Sequence, residues 1–373
     1  MNAKELDEQR QQAYFDFLMK LLPVAAQSEG NQRLFYPLLL ENIELLNEEF
    51  ALYLRIKVNE FYKEYKFQQC LTLAAILTLV AEAIQKFPQG SKANNLEIAI
   101  AGYEAALPIL SHHENQLIWA AAQNHLATAY LNRIRGDRAF NIERAIQSYQ
   151  NTLQVHTRMN LPAEWAGIQM NLGNAYSNRL EGSRADNIEQ CIEYYKAALV
   201  VYSPEAFPVQ WADIQNNLGI AYKERIYGNV SDNIEQAIQC DRAALQIFTY
   251  EAFPEQWARG YGNLAITYQE RSQGEFADNI ERSIAILKST LQVNTREAFP
   301  YKWANTQVNL GVAYFRRIHG KQAHNIELAI TCYEAALQVL TKQESPQLWA
   351  GIQNNLGVAY NQRIKGEKAD NLE

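Results

Sequence analysis

Six histidines and four cysteines are the residues from which a metal or nucleophilic centre would be built. His112, His113, His125, His156, His319 and His324 form no HExxH pattern and no cluster with carboxylates, the spacing a zinc site needs. Cys70, Cys191, Cys240 and Cys332 lie far apart, with no CxxC and no neighbouring histidine set. They read as reduced thiols of a cytoplasmic protein. No Ser/His/Asp or Cys/His arrangement stands out, and the glycines do not form a phosphate-cradling GxGxxG. The sequence therefore predicts no catalytic residue, no metal and no cofactor, hence no enzyme. Two rows remain. Arg133, Arg179, Arg225, Arg271, Arg317 and Arg363 resemble an anion-binding set, and Asn171, Asn217, Asn263, Asn309 and Asn355 offer donors and acceptors together. Both rows recur every 46 residues, so their meaning depends on the elements that carry them.

The same interval separates all six tryptophans, Trp119, Trp165, Trp211, Trp257, Trp303 and Trp349. With each tryptophan as offset zero, Leu recurs at +7, Gly or Ala at +8, Tyr at +11, Arg at +14, Gly at +17, Asn at +22, Glu at +24 and Ile at +27. Offsets 0, +4, +7, +8 and +11 have helical spacing with one apolar stripe, which predicts an amphipathic helix A. The glycine at +17, Gly136 through Gly366, is expected to end it. A helix B then starts near DNIE, capped either by the Asp of a capping box (Asp186, Asp232, Asp278, Asp370) or by the Asn at +22. In the joint EAFPEQWA, Pro254 is expected to open helix A, with Phe253 and Trp257 packing at the seam between repeats.

Such a two-helix unit buries its apolar face only by stacking on neighbours, so the fold class is all-α, an α-solenoid. Residues 1–67 lack the period and are expected to be a helical cap; 68–118 form a degenerate first pair; 119–348 hold five full repeats; 349–373 supply helix A of a truncated last repeat. That solitary helix suggests a fragment of a longer chain, or an apolar edge through which two copies form a homodimer. The chain is 48% apolar with a formal charge of −7, which gives a nucleic acid no basic surface. Its N-terminus, MNAKELDEQRQQ, has no secretory pattern, and the apolar run at 71–81 is too short for a bilayer and reads as a buried helix, so no membrane association is expected.

The stretches NLGNAY (171–176), NNLGIAY (216–222), NLGVAY (309–314) and NNLGVAY (354–360), followed by Ala329, Ile330, Tyr333 and Ala335 to Leu337, resemble the tetratricopeptide repeat family. The family unit is about 34 residues, so this one is a long form, enlarged between the helices and between repeats. It looks like arrays of cyanobacterial multidomain proteins that often precede a caspase-like CHAT domain or another signalling module. The resemblance implies a right-handed superhelix whose helices A line a groove for a partner protein or an extended peptide.

Offsets +2, +6, +9 and +13 form the stripe of helix A beside its core stripe and are the groove candidates. They comprise the asparagine row, Asn174, Ile220, Ile266 and Val312 at +9, Asp213, Arg259 and Asn305 at +2, and Glu224, Glu270 and Arg316 at +13. Lys223 and Gln269 at +12 belong to the same uneven surface, with acidic patches near its middle. The asparagines either clamp a peptide backbone or hold neighbouring repeats together. The Lys-Asn pair of the family's carboxylate clamp is missing at +5 and +9, which argues against a terminal acidic peptide. The arginines are expected to be structural, bonded across the A to B loop to the +24 glutamate, such as Glu189 or Glu235, or to loop carbonyls.

Overall fold

The computed structural model describes residues 8–28, 31–110 and 116–363. His112, His113, Gly366 and Asp370 lie outside the described residues. Within them the chain is all-α, an α-solenoid of successive helix pairs, with no strand among the described residues. It divides into two compact units, Met1–Val201 and Tyr202–Glu373.

The first unit contains α1 (Glu8–Gln27), α2 (Tyr36–Glu41), α3 (Glu48–Glu64), α4 (Phe67–Lys86), α5 (Lys92–Ala106), α6 (Gln116–Leu131), α7 (Arg138–Leu153), α8 (Pro162–Ser177) and α9 (Arg184–Ala198). Tyr14 and Phe17 of α1 meet Phe50 of α3 at ring distances of 5.6 and 5.1 Å, so an aromatic cluster joins the non-repeating helices. That cluster is continuous with the buried faces of α4 and α5. By length and composition α4 is able to cross a membrane, with mean hydropathy 1.6, because the helix runs past both ends of the apolar stretch seen in the sequence. Its Ala74, Leu77, Val80, Ala81 and Ile84 are nevertheless buried in the core.

The second unit contains α10 (Pro208–Lys223), α11 (Val230–Ile247), α12 (Pro254–Glu270), α13 (Phe276–Thr290), α14 (Pro300–Arg316), α15 (Gln322–Leu337) and α16 (Pro346–Asn361). Its helices A (α10, α12, α14, α16) each open on a proline at the first turn, where the missing N–H has no intrahelical partner to lose. The chain enters that turn through a Ser or Thr hydroxyl that accepts the amide three residues on, as Thr249 Oγ1 does from Ala252 N at 3.2 Å. Phe253 and Trp257 are joined by a backbone bond of 2.8 Å, but their rings part. Phe253 packs on Phe248 at 5.5 Å and Trp257 on Tyr250 and Tyr261 at 5.2 and 4.9 Å, so the seam is a wider aromatic set than the pair expected.

The A to B loop corrects two expectations. The +17 glycine does not end helix A: α10, for example, stops at Lys223, and Gly228 comes after a further turn with φ +83°, a conformation that a side chain would strain. Helix B is capped one residue later, by Asp137, Ser183 and Asn229 in α7, α9 and α11, whose side chains accept from amides of the first turn. The +22 asparagine lies inside the helix, buried, and its amide donates back to a loop carbonyl. Asn141, Asn187, Asn233, Asn279 and Asn325 bond Arg135, Glu181, Tyr227, Gln273 and His319 oxygens at 2.8–2.9 Å. Asn95 makes the same bond to Gln89 O at 3.0 Å in the α4–α5 pair. Neither the Asp nor the Asn is the cap; the asparagine is the clasp of a long loop.

Candidate functional site

Helix A separates its two stripes. In α12, Leu264, Ala265 and Tyr268 are buried, whereas Arg259 and Glu270 are exposed and Asn263 and Ile266 half-buried. The corresponding stripe of α14 places Asn305 in solvent and leaves Asn309 and Val312 half-buried. Between α12 and α14 lies an open cleft of ≈ 490 Å³. It brings together Arg259, Asn263, Ile266 and Asn309 from the candidate stripe. Asn305 of the same stripe joins them, and the cleft is also lined by Gln256 and Thr306, and by Leu287 and Asn294 from the α13 side. Gln256, at offset −1, lies one turn before Arg259 on the same stripe, which the sequence reading took only from +2 onward. Leu287 and Asn294 belong to helix B and the following joint, and no periodicity of helix A marks them.

The charges at the cleft are paired between successive repeats. Arg259 bonds Asp213 at 2.8 Å, and Lys302 bonds Glu255 at 2.7 Å, all four side chains being well exposed. Asp213 is therefore one end of an ion pair and does not form the bare acidic patch expected near the middle. Glu224 and Glu270 sit exposed at the C-terminal ends of α10 and α12. Gln269, expected on the groove, is buried, and donates to Ser283 Oγ at 2.9 Å and to the Asn309 carbonyl at 3.4 Å.

The asparagine row is not uniform. Asn263 Nδ2 donates to Asn216 Oδ1 of the preceding repeat at 3.1 Å, a stacking bond, while the residue also lines the cleft. Asn171, Asn217 and Asn355 are half-buried on α8, α10 and α16. In α6 the row holds His125, stacked on Tyr103 at 6.2 Å, its pKa pushed down by burial against the opposing pull of Glu82. At +9, Asn174 Oδ1 accepts from Tyr195 Oη of α9 at 2.7 Å, and Thr128 shares a 3.0 Å bond with Tyr149 Oη of α7. Ile220 is half-buried on α10, Val312 packs against the core of the second unit, and the Arg316 guanidinium lies 5.3 Å from the Phe276 ring centre.

The arginine row joins successive repeats within each unit. Five of the six pair in two-point fashion with the +24 glutamate of the preceding repeat, not the one across their own loop: Arg133 with Glu97, Arg179 with Glu143, Arg271 with Glu235, Arg317 with Glu281 and Arg363 with Glu327, at 2.6–3.0 Å. The remaining nitrogen of Arg133 reaches Asn141 Oδ1 at 3.2 Å, so one side chain ties the loop clasp of its own repeat to the neighbour. Glutamate binding holds the Arg133, Arg179, Arg271 and Arg317 guanidiniums above their usual pKa, and Arg317 holds Glu281 below the carboxylate range. Such saturated guanidiniums leave no row for an external anion.

With that geometry in view, the tetratricopeptide repeat family profile matches residues 119–157, which takes in most of α6 and all of α7, within one 46-residue period. One tetratricopeptide repeat is thus matched, at α6 and α7. Repeats of this family generally mediate protein–protein interaction and act as scaffolds without catalysis. Among solved structures, the APC/C hetero-tetramer Cut9–Hcn1 is 15% identical over 86% of this chain and 48% of its own, with a TM-score of 0.47. A signal-transduction ATPase with numerous domains and a tetratricopeptide repeat sensor, from Pyrococcus horikoshii, is 14% identical over 95% of this chain and 52% of its own, TM-score 0.46. A circular tandem repeat protein of novel repeat topology is 14% identical over 98% and 88%, TM-score 0.30. The chain spans about half the length of the first two. Among curated proteins, nothing matches. Among the described residues no group of three His, Cys, Asp or Glu is placed to hold a metal.

Proposed function

We propose that the chain is a protein-binding scaffold that holds an extended segment of a partner in the cleft between α12 and α14. The observation that carries this reading is the convergence of the amides of Gln256, Asn263, Asn305 and Asn309 beside Ile266, with the flanking charges already paired. Amides present donor and acceptor together and so match a peptide backbone, and Ile266 adds an apolar contact for one side chain. A formal charge of −7 disfavours nucleic acid, and four buried cysteines outside any disulfide suit a reducing compartment such as the cytoplasm.

Selection of a displayed peptide library on the full chain tests the proposal. The enriched peptides should lose at least tenfold in affinity for the Asn305→Ala/Asn309→Ala variant, whose helicity should match the parent. Peptides that bind parent and variant equally would place recognition elsewhere.

Two finer readings concern the same chain. The groove is the sensing segment of a larger signalling enzyme, such as a CHAT-type protease, if contiguous coding sequence contains a His/Cys constellation. Self-association through α16 is favoured by the exposure of Leu348 and Val358, at 50% and 42%.

A further inference from the structure

Offset +30, in the middle of helix B, faces the small residue at +8 of helix A. Tyr195 of α9 and Tyr333 of α15 fill the space over Gly173 and Gly311 so closely that a Cβ on either glycine would come within 2.5 Å of the ring. The same offset holds Tyr149 in α7 and Leu287 in α13, but in α11 it is Asp241. This carboxylate is 1% exposed, and its Oδ1 sits against Gly219 of α10, where a Cβ would collide with it. That oxygen has no hydrogen-bond partner, an expensive arrangement for a charged group.

The other oxygen, Oδ2, lies 3.4 Å from Thr267 Oγ1 of α12. Thr267 Oγ1 is also 3.0 Å from the Asn263 carbonyl, one turn earlier in the same helix. A threonine has one hydroxyl proton, and the shorter bond to Asn263 claims it. Asp241 can then complete its own bond only by carrying a proton and donating it to Thr267. The charged group that bears on the site is Lys223 at the end of α10, and it favours the ionised form. On α11 itself Cys240 is buried alongside, and Arg242 is engaged by Tyr268 Oη of α12 at 2.5 Å.

We propose that Asp241 is a proton-controlled latch for α12: protonated, it closes the packing of α10, α11 and α12, and its ionisation favours a loosened α12, the helix that carries Arg259, Asn263 and Ile266 of the cleft. Burial is the main force on this carboxyl and pushes its pKa up to about 7, against the smaller pull of Thr267 and Lys223. The sign follows from proton linkage. Opened to water, the group returns to an ordinary carboxylate value of about 4, so opening releases a proton at any pH between that value and about 7. The closed form is therefore favoured at mildly acidic pH and loses that advantage as pH rises, levelling off once the closed form is itself ionised. The latch is read on α12 alone, so its test does not depend on what the cleft binds.

Hydrogen exchange of α12 amides in the full chain, corrected for intrinsic rates and referenced to α15, should show protection falling by about tenfold per unit between pH 5 and 6.5 and levelling near pH 8. Asp241→Asn should abolish the slope, and Asp241→Leu, the residue type at the equivalent place in α13, should do the same if the amide variant folds poorly. A carboxyl-carbon NMR titration of the unmodified protein should give Asp241 an inflection near neutrality. A flat α12 profile in the parent, a slope retained in either variant, or a titration of Asp241 below pH 5 would each overturn the latch.

Discussion

Cutting one rung of the Arg–Glu ladder should loosen the two repeats it joins. The rung best shielded from water is Arg133–Glu97, with side chains 19% and 10% exposed, joining α5 to α6. Two charge-assisted bonds of 2.8 and 2.7 Å make the contact planar and two-pointed. An exposed pair contributes about 0.2–1 kcal/mol, whereas hydrogen bonds to charged groups away from bulk water contribute about 1.5–3 kcal/mol. At this burial a coupling of about 2 kcal/mol is the reasonable value, roughly a 30-fold change in an opening equilibrium. Arg133→Ala alone should cost more, about 3 kcal/mol, because it also removes the bond to Asn141, the packing on Tyr130 and the partner of a nearly buried carboxylate. The measurement is a double-mutant cycle with Arg133→Ala and Glu97→Gln, read by hydrogen exchange of α5 and α6 amides, since a repeat array need not unfold in one step. If the two single effects add to within about 0.5 kcal/mol, the bond does not couple the repeats and the reasoning fails.

Two further outcomes follow from the +8 row and the last helix. Gly311→Ala should destabilise the second unit by about 1–3 kcal/mol, because the new methyl would meet Tyr333 at 2.5 Å, while Gly357→Ala, with nothing within 4 Å among the described residues, should leave the thermal midpoint unchanged or slightly raised. Val358→Asp should convert any dimer seen by analytical ultracentrifugation to monomer without loss of helicity, and a dimer that survives it is not held by the open face of α16.

Much of the fold was legible because a repeat writes the same constraint many times. Prolines three residues before the tryptophans, a tyrosine at +11 and an apolar +7 left little freedom about where helix A runs or which face it buries. The loop was misread for a physical reason: Asn at +22 and Asp at +21 are both good caps, and local preference cannot tell that the chain caps one turn earlier and spends the asparagine inside. The arginine partner was misassigned because sequence distance ranks the glutamate of the same repeat first, while stacking places the preceding repeat's +24 glutamate beside Arg +14. At the cleft, the half contributed by helix A was readable, and the half contributed by Leu287 and Asn294 was not, since those residues are set by how helix B passes behind.

That hidden contribution changes how the variation along the groove is understood. In α6 and α8 the +9 residue is polar, and its oxygen is engaged by the tyrosine at +30 of the same repeat's helix B, Tyr149 to Thr128 and Tyr195 to Asn174. In α12 the +9 residue is Ile266 and the +30 residue of α13 is Leu287, so two aliphatic side chains stand where the hydrogen-bonded pair stood, and both line the cleft. A polar +9 facing leucine would lose a partner, and a tyrosine facing isoleucine would lose one too, at a cost of about 1–3 kcal/mol for each buried group left unpaired. The tie is not general, since α14 and α15 combine Val312 with Tyr333, but in α12 and α13 the apolar floor of the cleft is shared by Ile266 and Leu287. Ligand contact alone does not set it. A substitution meant to change recognition at Ile266 must therefore carry Leu287 with it, Ile266→Asn with Leu287→Tyr as in α8 and α9, or its effect on binding will be confounded with loosened packing of α13 against α12.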